Sequence, residues 1–137
     1  MSTPESRLEA MGISLPPPNA AVANYVPFVI SGRQIFISGQ ISNGPDGLVK
    51  GRLGETMDLA EGQEAAKLCA INLIAQMKAA IGSLARVERI VKLGGFVNAA
   101  PDFVEIPQVI NGCSDLMVEV FGDAGRHARS AVACPVL

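Results

Sequence analysis

The sequence predicts one α+β domain whose elements follow the order β-β-α-β-α-β. Segments rich in β-branched and aromatic residues predict strands, and longer segments with apolar residues at helical spacing predict helices. Because the helices follow strands, we expect both to cover one face of a mixed sheet. A chain of 137 residues has about the length of a single domain. The predicted strands are 25–30, 33–38, 86–98 and 127–134, and the helices run from Asp58 to about Ala80 and over 103–121.

The first two strands are predicted to form a hairpin. Residues 25–30 and 33–38 are separated by Ser31 and Gly32, a pair that favours a turn. From Gly39 to Gly54 the chain has five glycines, which indicates a loop with at most a short strand at 48–50. Residues 1–20 contain three consecutive prolines and are expected to form an extended N-terminal arm, with a loose segment or short helix over 1–12.

The first long helix has the clearest boundaries. Asp58 and Glu61 have the spacing of a capping box, in which each side chain accepts a hydrogen bond from the other residue's N–H. Gly82 marks the end of the helix. We expect its inner stripe to consist of Ala66, Cys69, Leu73, Met77 and Ala80.

The second half of the chain repeats the strand–helix alternation. Residues 86–98 contain Gly94 and Gly95, which indicate a bulge or a close backbone contact. Asp102 is a candidate N-cap for the helix over 103–121. The inner face of that helix is predicted to carry Ile106, Ile110, Leu116 or Met117, and Val120 or Phe121.

Composition excludes several classes of function. A net charge of −2 offers no basic face, so nucleic acid is disfavoured as a partner. One histidine and three scattered cysteines supply neither a metal site nor a disulfide framework, and no phosphate-binding glycine motif occurs, so we expect no metal and no cofactor. No apolar run approaches the ~20 residues that span a bilayer. We therefore expect a cytoplasmic protein without a membrane partner.

The mean hydropathy predicts an oligomer. Its value of +0.33 is high for so short a chain, and a small domain has much surface relative to its volume. Part of that surface is therefore expected to be buried between copies of the chain.

Arg129 is the residue that attracts a functional interpretation. It lies in an apolar strand, where an arginine is almost never buried without a partner. Its planar fork suits bidentate binding of a carboxylate. An internal salt bridge to Asp102 or Glu119, or a charge on the exposed face of the strand, explains the position equally well.

The order of several short motifs resembles the RidA (YjgF/YER057c/UK114) family. These are Tyr25, the segment Ile-Phe-Ile-Ser-Gly-Gln-Ile at 35–41, Phe96-Val97 with Asp102-Phe103, and Ala-Arg-Ser-Ala-Val at 128–132. The resemblance covers most of the chain. Residues 110–122 are similar to a branch of the family whose role is poorly defined. The resemblance implies a chorismate-mutase-like fold and a homotrimer with pockets between subunits.

The resemblance also implies a binding site for a small-molecule carboxylate. Arg129 matches the arginine that pairs with the substrate carboxylate, Tyr25 and Ser38 match residues that line the pocket, and Gly39 lies beside them. Asn111 matches an asparagine of the second helix. The best-known members hydrolyse reactive enamines and imines of amino acids to keto acids and ammonia, so the implied function is an imine deaminase.

Two departures from the family pattern leave alternatives open. The chain ends at residues 134–137, before the glutamate and the final strand of the family deaminases, and Ala99 replaces a usual aspartate. No catalytic residue can be assigned, although Glu105, Glu119 or Asp46 could substitute as the acid. A non-catalytic trimer that binds carboxylate metabolites is therefore the alternative, and an endoribonuclease is the third and weakest interpretation.

Overall fold

A computed structural model describes residues 2–137, which form three helices and six strands. The chain order is α1, β1, β2, β3, β4, α2, β5, α3 and β6. Their bounds are α1 Pro4–Ala10, β1 Phe28–Ser31, β2 Gln34–Ile37, β3 Asn43–Gly44, β4 Gly47–Leu48, α2 Leu59–Ile81, β5 Lys92–Asn98, α3 Ile106–Phe121 and β6 Ala128–Cys134. The predicted α+β class and the order of the main elements are confirmed. The first part of the predicted N-terminal arm is the helix α1.

Local signals located α2 correctly. The predicted capping box is present, with the Glu61 N–H donating to Asp58 Oδ1 at 2.8 Å and the Asp58 N–H donating to Glu61 Oε1 at 3.1 Å. Gly82 follows the helix with a φ of 81°, which favours glycine. The predicted inner stripe is wrong in part, because Cys69, Leu73 and Ala80 are only half-buried. The buried residues of α2 are Gly62, Ala66, Ala70, Asn72, Ile74, Ala75, Gln76 and Met77.

The helix α3 begins three residues later than predicted. Glu105, not Asp102, occupies the N-cap position, and its side chain makes no capping hydrogen bond. Pro107 lies in the first turn, where a missing N–H costs no intrahelical hydrogen bond. The proline therefore sets the start of α3. The inner face contains the predicted residues Ile106, Ile110, Leu116, Met117, Val120 and Phe121, all of them buried.

The single mixed sheet that we predicted is replaced by three two-stranded ladders. β1 pairs with β2 and β3 with β4, both antiparallel, whereas β5 and β6 are parallel. The third strand is shorter than predicted, because residues 84–86 form a 3-10 turn and pairing starts only at Lys92. The first and third ladders are linked through the core, since Ile37 of β2 and Leu93 of β5 contact the same apolar cluster.

The helices form a layer behind the ladders. α2 and α3 pack against each other, α2 also packs on β1 to β3, and α3 packs on β5 and β6. Gly112 of α3 makes this packing close, because a Cβ atom there would overlap the backbone carbonyl of Gln63 in α2. The glycine therefore allows the two helix backbones to approach each other.

The opposite face of the ladders is apolar and exposed. Val29 pairs with Phe36 in one ladder, and Phe96 pairs with Val132 in another. These four side chains, here called the outer sheet face, keep between 45% and 66% of their surface exposed. Isolated apolar residues on a surface are ordinary, but these four form two cross-strand pairs, so the apolar exposure is grouped within each ladder.

Candidate functional site

β6 directs Arg129 toward the helices. Successive side chains of a strand point to opposite faces, so Arg129 and Ala131 share the inner face of β6. Ala131 packs against buried apolar residues. Arg129 pairs in register with Leu93, which is also buried. The guanidinium is therefore half-buried between β6 and α3.

One face of α3 receives the guanidinium. Pro107, Asn111 and Ser114 follow the i, i+4, i+7 spacing that places side chains on one side of a helix. Arg129 Nη1 donates to Asn111 Oδ1 at 2.9 Å and to Ser114 Oγ at 3.0 Å, and Nη2 donates to the Pro107 carbonyl at 3.2 Å. The structure therefore brings together two of the predicted site residues, Arg129 and Asn111.

The positive charge of Arg129 has no carboxylate partner among residues 2–137. It forms no ion pair with Asp102 or Glu119, so the salt-bridge interpretation is wrong. An arginine has five N–H donors, and three of them are used by neutral oxygens. The Nε–H and one Nη2–H remain. Nε and Nη2 share one edge of the planar group, which matches a carboxylate in bidentate geometry.

Ser114 connects Arg129 to the one histidine of the chain. Ser114 Oγ lies 2.9 Å from His127 Nε2, and His127 Nδ1 lies 2.5 Å from the Gly125 carbonyl oxygen. Sequence reasoning assigned neither Ser114 nor His127 to the site. The available signal was the i, i+3 spacing of Asn111 and Ser114 on one helix face. We call Pro107, Asn111, Ser114, His127 and Arg129 the Arg129 corner.

The other predicted site residues lie on or beside the hairpin. Tyr25 is 51% exposed, and Gly39 has open space around it. The Ser38 hydroxyl donates to the Val26 carbonyl at 2.6 Å. Among residues 2–137, the backbones of β1 and β2 make no contact with β5 or β6. The hydrogen bonds of Arg129 within these residues all go to α3, and none involves Tyr25, Ser38 or Gly39.

None of the three candidate acids hydrogen-bonds to the Arg129 guanidinium within residues 2–137. Asp46, Glu105 and Glu119 are all exposed. Glu119 lines a depression of about 210 Å³ between α2 and α3, and a larger groove of about 570 Å³ lies between α1, α2 and the proline segment. Arg129 lines neither of them. The structure therefore selects none of the three acids as its partner.

The cysteines beside the corner are inert. Burial raises the pKa of Cys113 to about 12, with a further contribution from Cys69, and the positive charge of Arg129 opposes this only in part. Burial also raises the pKa of Cys69 to about 11. Both thiols are therefore neutral near pH 7, whereas a cysteine nucleophile needs a thiolate.

The structure also bears on metal binding and on membrane insertion. Within the described residues 2–137, no group of three or more His, Cys, Asp or Glu side chains is arranged to hold a metal ion. Over the same part of the chain, no helix is both long and apolar enough to cross a bilayer.

Comparison with known proteins identifies the family. Residues 5–137 match the family described as "YjgF/chorismate_mutase-like, putative endoribonuclease". The chain belongs to this family. Within the YjgF family it is 48% identical over 129 residues to Protein TCP17 of Trypanosoma cruzi, which covers 93% of this chain and 81% of that protein.

Two solved structures share the YjgF fold of this chain. A "putative endoribonuclease" from Shewanella oneidensis MR-1 is 42% identical, with a TM-score of 0.96 over 99% of this chain and 91% of that one. A protein of unknown function from Agrobacterium tumefaciens is 45% identical, with a TM-score of 0.90 over 98% of this chain and 83% of that one. The chorismate-mutase-like fold that the resemblance implied is therefore confirmed.

Proposed function

We propose that this YjgF-family protein is a homotrimer that binds a small-molecule carboxylate at Arg129 and hydrolyses reactive imines of amino acids to keto acids and ammonia. The observation that carries the proposal is the arrangement of Arg129. Its guanidinium is half-buried and fixed by three neutral oxygens, and it keeps the Nε–H and one Nη2–H for an anion.

The hydrogen bonds around the guanidinium favour binding of an anion. Asn111, Ser114 and the Pro107 carbonyl fix the orientation of the guanidinium without neutralising its charge. Each hydrogen bond to a charged group contributes roughly 1.5–3 kcal/mol. A ligand that makes two such bonds at a preorganised site loses little of this energy to reordering the side chain. A bidentate carboxylate therefore fits better than a neutral ligand.

Assembly into a trimer would complete the pocket. The outer sheet face is apolar and exposed in one chain, which supports its burial between protomers. Tyr25, Ser38 and Gly39 make no hydrogen bond to Arg129 in the same chain. We propose that the hairpin of a neighbouring protomer supplies these three residues to the Arg129 corner.

The chemistry of imine hydrolysis suits a carboxylate anchor. An imine derived from an amino acid carries its carboxylate one bond from the C=N carbon, so an anchored carboxylate fixes the carbon that water attacks. Positioning of this kind can contribute several kcal/mol to a rate. Proton transfer to and from the reacting atoms requires a further group.

A non-catalytic carboxylate binder is the second candidate. The observation that favours it is the absence of any carboxylate hydrogen bond to Arg129 within residues 2–137. The exposed acids Asp46, Glu105 and Glu119 offer no obvious substitute for a general acid. Such a protein would bind keto acids and leave the rate of imine decay unchanged.

Ribonuclease activity, suggested by the name of the relative from Shewanella, has less physical support. The net charge is −2, and RNA binding draws much of its affinity from phosphate contacts with basic side chains. The outer sheet face carries two phenylalanines, and none of its four residues is a lysine or arginine. We therefore rank it third.

The decisive experiment follows an imine produced by an amino acid oxidase and trapped with semicarbazide. The wild type should lower semicarbazone formation, and Arg129→Ala should remove the effect, while the exposed neighbour Arg126→Ala serves as the matched control. Calorimetry with 2-oxobutanoate identifies a binder without turnover, and a labelled RNA tests for cleavage. Wild type that neither accelerates decay nor binds the keto acid would overturn the proposal.

A further inference from the structure

The hydrogen bonds at the Arg129 corner determine which nitrogen of His127 carries the proton. The Gly125 carbonyl can only accept, so His127 Nδ1 must donate to it. A neutral imidazole then has an unprotonated Nε2, which accepts the hydroxyl proton of Ser114. Because that proton points to His127, the lone pairs of Ser114 Oγ are available to Arg129 Nη1. Each donor in this series of hydrogen bonds therefore has one acceptor.

We propose that His127 is a positioning residue for the anion site and acts on Arg129 through Ser114. Its neutral ring fixes the direction of the Ser114 hydroxyl, and the hydroxyl oxygen holds Nη1, so the edge formed by Nε and Nη2 faces the ligand. This inference rests on the proposed carboxylate binding. In this proposal His127 does not contact the ligand.

Protonation of His127 breaks this arrangement. An imidazolium has no acceptor, so Ser114 Oγ would face N–H donors from two cations, His127 and Arg129. Two positive charges bridged by a single oxygen repel each other, so Ser114 holds Nη1 less firmly, while Asn111 and the Pro107 carbonyl still accept from the guanidinium. The edge formed by Nε and Nη2 is then less well ordered for a carboxylate. The site therefore holds anions best while His127 is neutral.

The other charged groups near His127 do not take part in the link between His127 and Arg129. Asp123 and Arg126 pair with each other at 3.4 Å, and Arg89 donates to the Arg126 carbonyl. Arg129 is the charged residue joined to His127 by hydrogen bonds, through Ser114. The charged groups on the elements around His127 are Arg89, Lys92, Asp115, Glu119, Asp123, Arg126 and Arg129.

The test is the affinity for 2-oxobutanoate, measured by calorimetry between pH 8 and pH 5.5. The keto acid stays ionised over this range, so a change in affinity reports on the protein rather than on the ligand. Wild type should lose about tenfold in affinity on acidification, the equivalent of one decade in Kd. His127→Gln, whose amide can both donate and accept, should keep the affinity at pH 8 within about threefold and lose the pH dependence, as the side-chain inventory predicts. Arg126→Gln is the matched control and should keep the pH dependence.

Whether affinity falls or rises on acidification distinguishes positioning by His127 from a direct effect of its charge. If His127 acted only as a through-space charge, its protonation would attract the anion, and affinity would rise on acidification. A rise in affinity, or an affinity that does not change with pH, overturns the proposal. His127→Ala should weaken binding at every pH, and rescue of binding by glutamine separates positioning from a general structural role.

A ligand-free measurement separates this inference from the proposed function. The chain has one histidine, so ¹⁵N NMR of its ring needs no assignment among several. In its neutral form the ring should be protonated at Nδ1, and Ser114→Ala should perturb the Nε2 signal. A ring protonated at Nε2 overturns the inference whatever the ligand. Wild type with the Nδ1–H form that binds no keto acid at any pH would instead overturn the proposed function.

Discussion

The Arg129 corner and the β1–β2 hairpin differ in how far a single chain completes them. In the corner, side chains from α3 and β6 form a continuous set of hydrogen bonds around a half-buried cation. On the hairpin, Tyr25 is exposed and Phe36 keeps 59% of its surface accessible. The corner is organised by contacts within the chain, whereas the hairpin presents apolar and polar groups that the chain does not use.

This difference indicates where association should matter. A corner that is complete in one chain should keep its local geometry in a monomer, whereas an unused hairpin should gain its role only through a second copy. The following changes test the two regions, from the largest expected effect to the smallest.

Phe36→Asp should abolish the proposed trimer. A carboxylate on the outer sheet face would be buried without a partner, at a cost of several kcal/mol per interface. Light scattering or sedimentation should then report the monomer mass. Val104→Asp is the control, because Val104 is 79% exposed in the loop before α3 and lies outside this face. A wild type that is itself a monomer, or a Phe36→Asp variant that stays assembled, contradicts the role given to the hairpin.

Gly112→Ala should lower the free energy of unfolding by about 3 kcal/mol. Alanine in a helix is normally preferred over glycine by about 1 kcal/mol, but overpacking costs about 1–3 kcal/mol and more against a rigid backbone. Here the added methyl would overlap the Gln63 carbonyl, so the clash outweighs the gain in helix propensity. Urea denaturation measures the change.

Gly39→Ala is the matched control for Gly112→Ala. A Cβ atom at Gly39 meets nothing within 4 Å, and its φ is not positive. We therefore expect a change below about 1 kcal/mol, as is usual for surface positions. Equal losses at both positions would show that the packing of α2 against α3 is looser than the structure indicates.

Arg129→Lys should weaken 2-oxobutanoate binding by roughly tenfold to a hundredfold, with little change in charge. An ammonium cannot form the planar fork that binds a carboxylate through two parallel hydrogen bonds. It also cannot satisfy Asn111, Ser114 and the Pro107 carbonyl together in the same geometry. Calorimetry at pH 8 measures the loss, and Arg126→Lys should bind as wild type does. Full affinity in Arg129→Lys would show that charge alone is sufficient.

Glu5→Gln should have the smallest effect and should depend on pH. Partial burial raises the pKa of the Glu5 carboxyl, but hydrogen bonds from the Leu84 N–H and the Lys78 ammonium outweigh it, so the pKa lies below its ordinary value of 4.5. A lowered pKa in the folded state stabilises the fold above the unfolded value and loses this contribution as pH falls through the folded value. With both side chains of the pair partly exposed, we expect about 1 kcal/mol at pH 7.

Urea denaturation of Glu5→Gln at pH 7 and at pH 3 measures this dependence. The difference from wild type should be clear at pH 7 and shrink at pH 3. A difference that is the same at both values would assign the effect to packing of α1 rather than to the charge of Glu5.

Signals that lie within a few residues of each other predicted structure well. Asp58, Glu61 and Gly82 located both ends of α2, because capping involves only neighbouring backbone groups. The start of α3 was missed because the pattern was extended to Asp102 and the effect of Pro107 was overlooked. The single mixed sheet was wrong for a different reason: strand pairing depends on how helices and strands pack, which the alternation of side chains in one strand does not report.

The sequence by itself determined the order of the elements, the α+β class and the unusual position of Arg129 in an apolar strand. Through its short motifs it also indicated the family. Tertiary structure alone decided what surrounds that arginine, because Ser114 reaches it from α3 and His127 bonds to Ser114 from the turn before β6. It also showed that Ser38 hydrogen-bonds to Val26, whereas Arg129 hydrogen-bonds to α3. Local patterns specify helices and strands, but a site built from separate elements depends on the packing that brings those elements together.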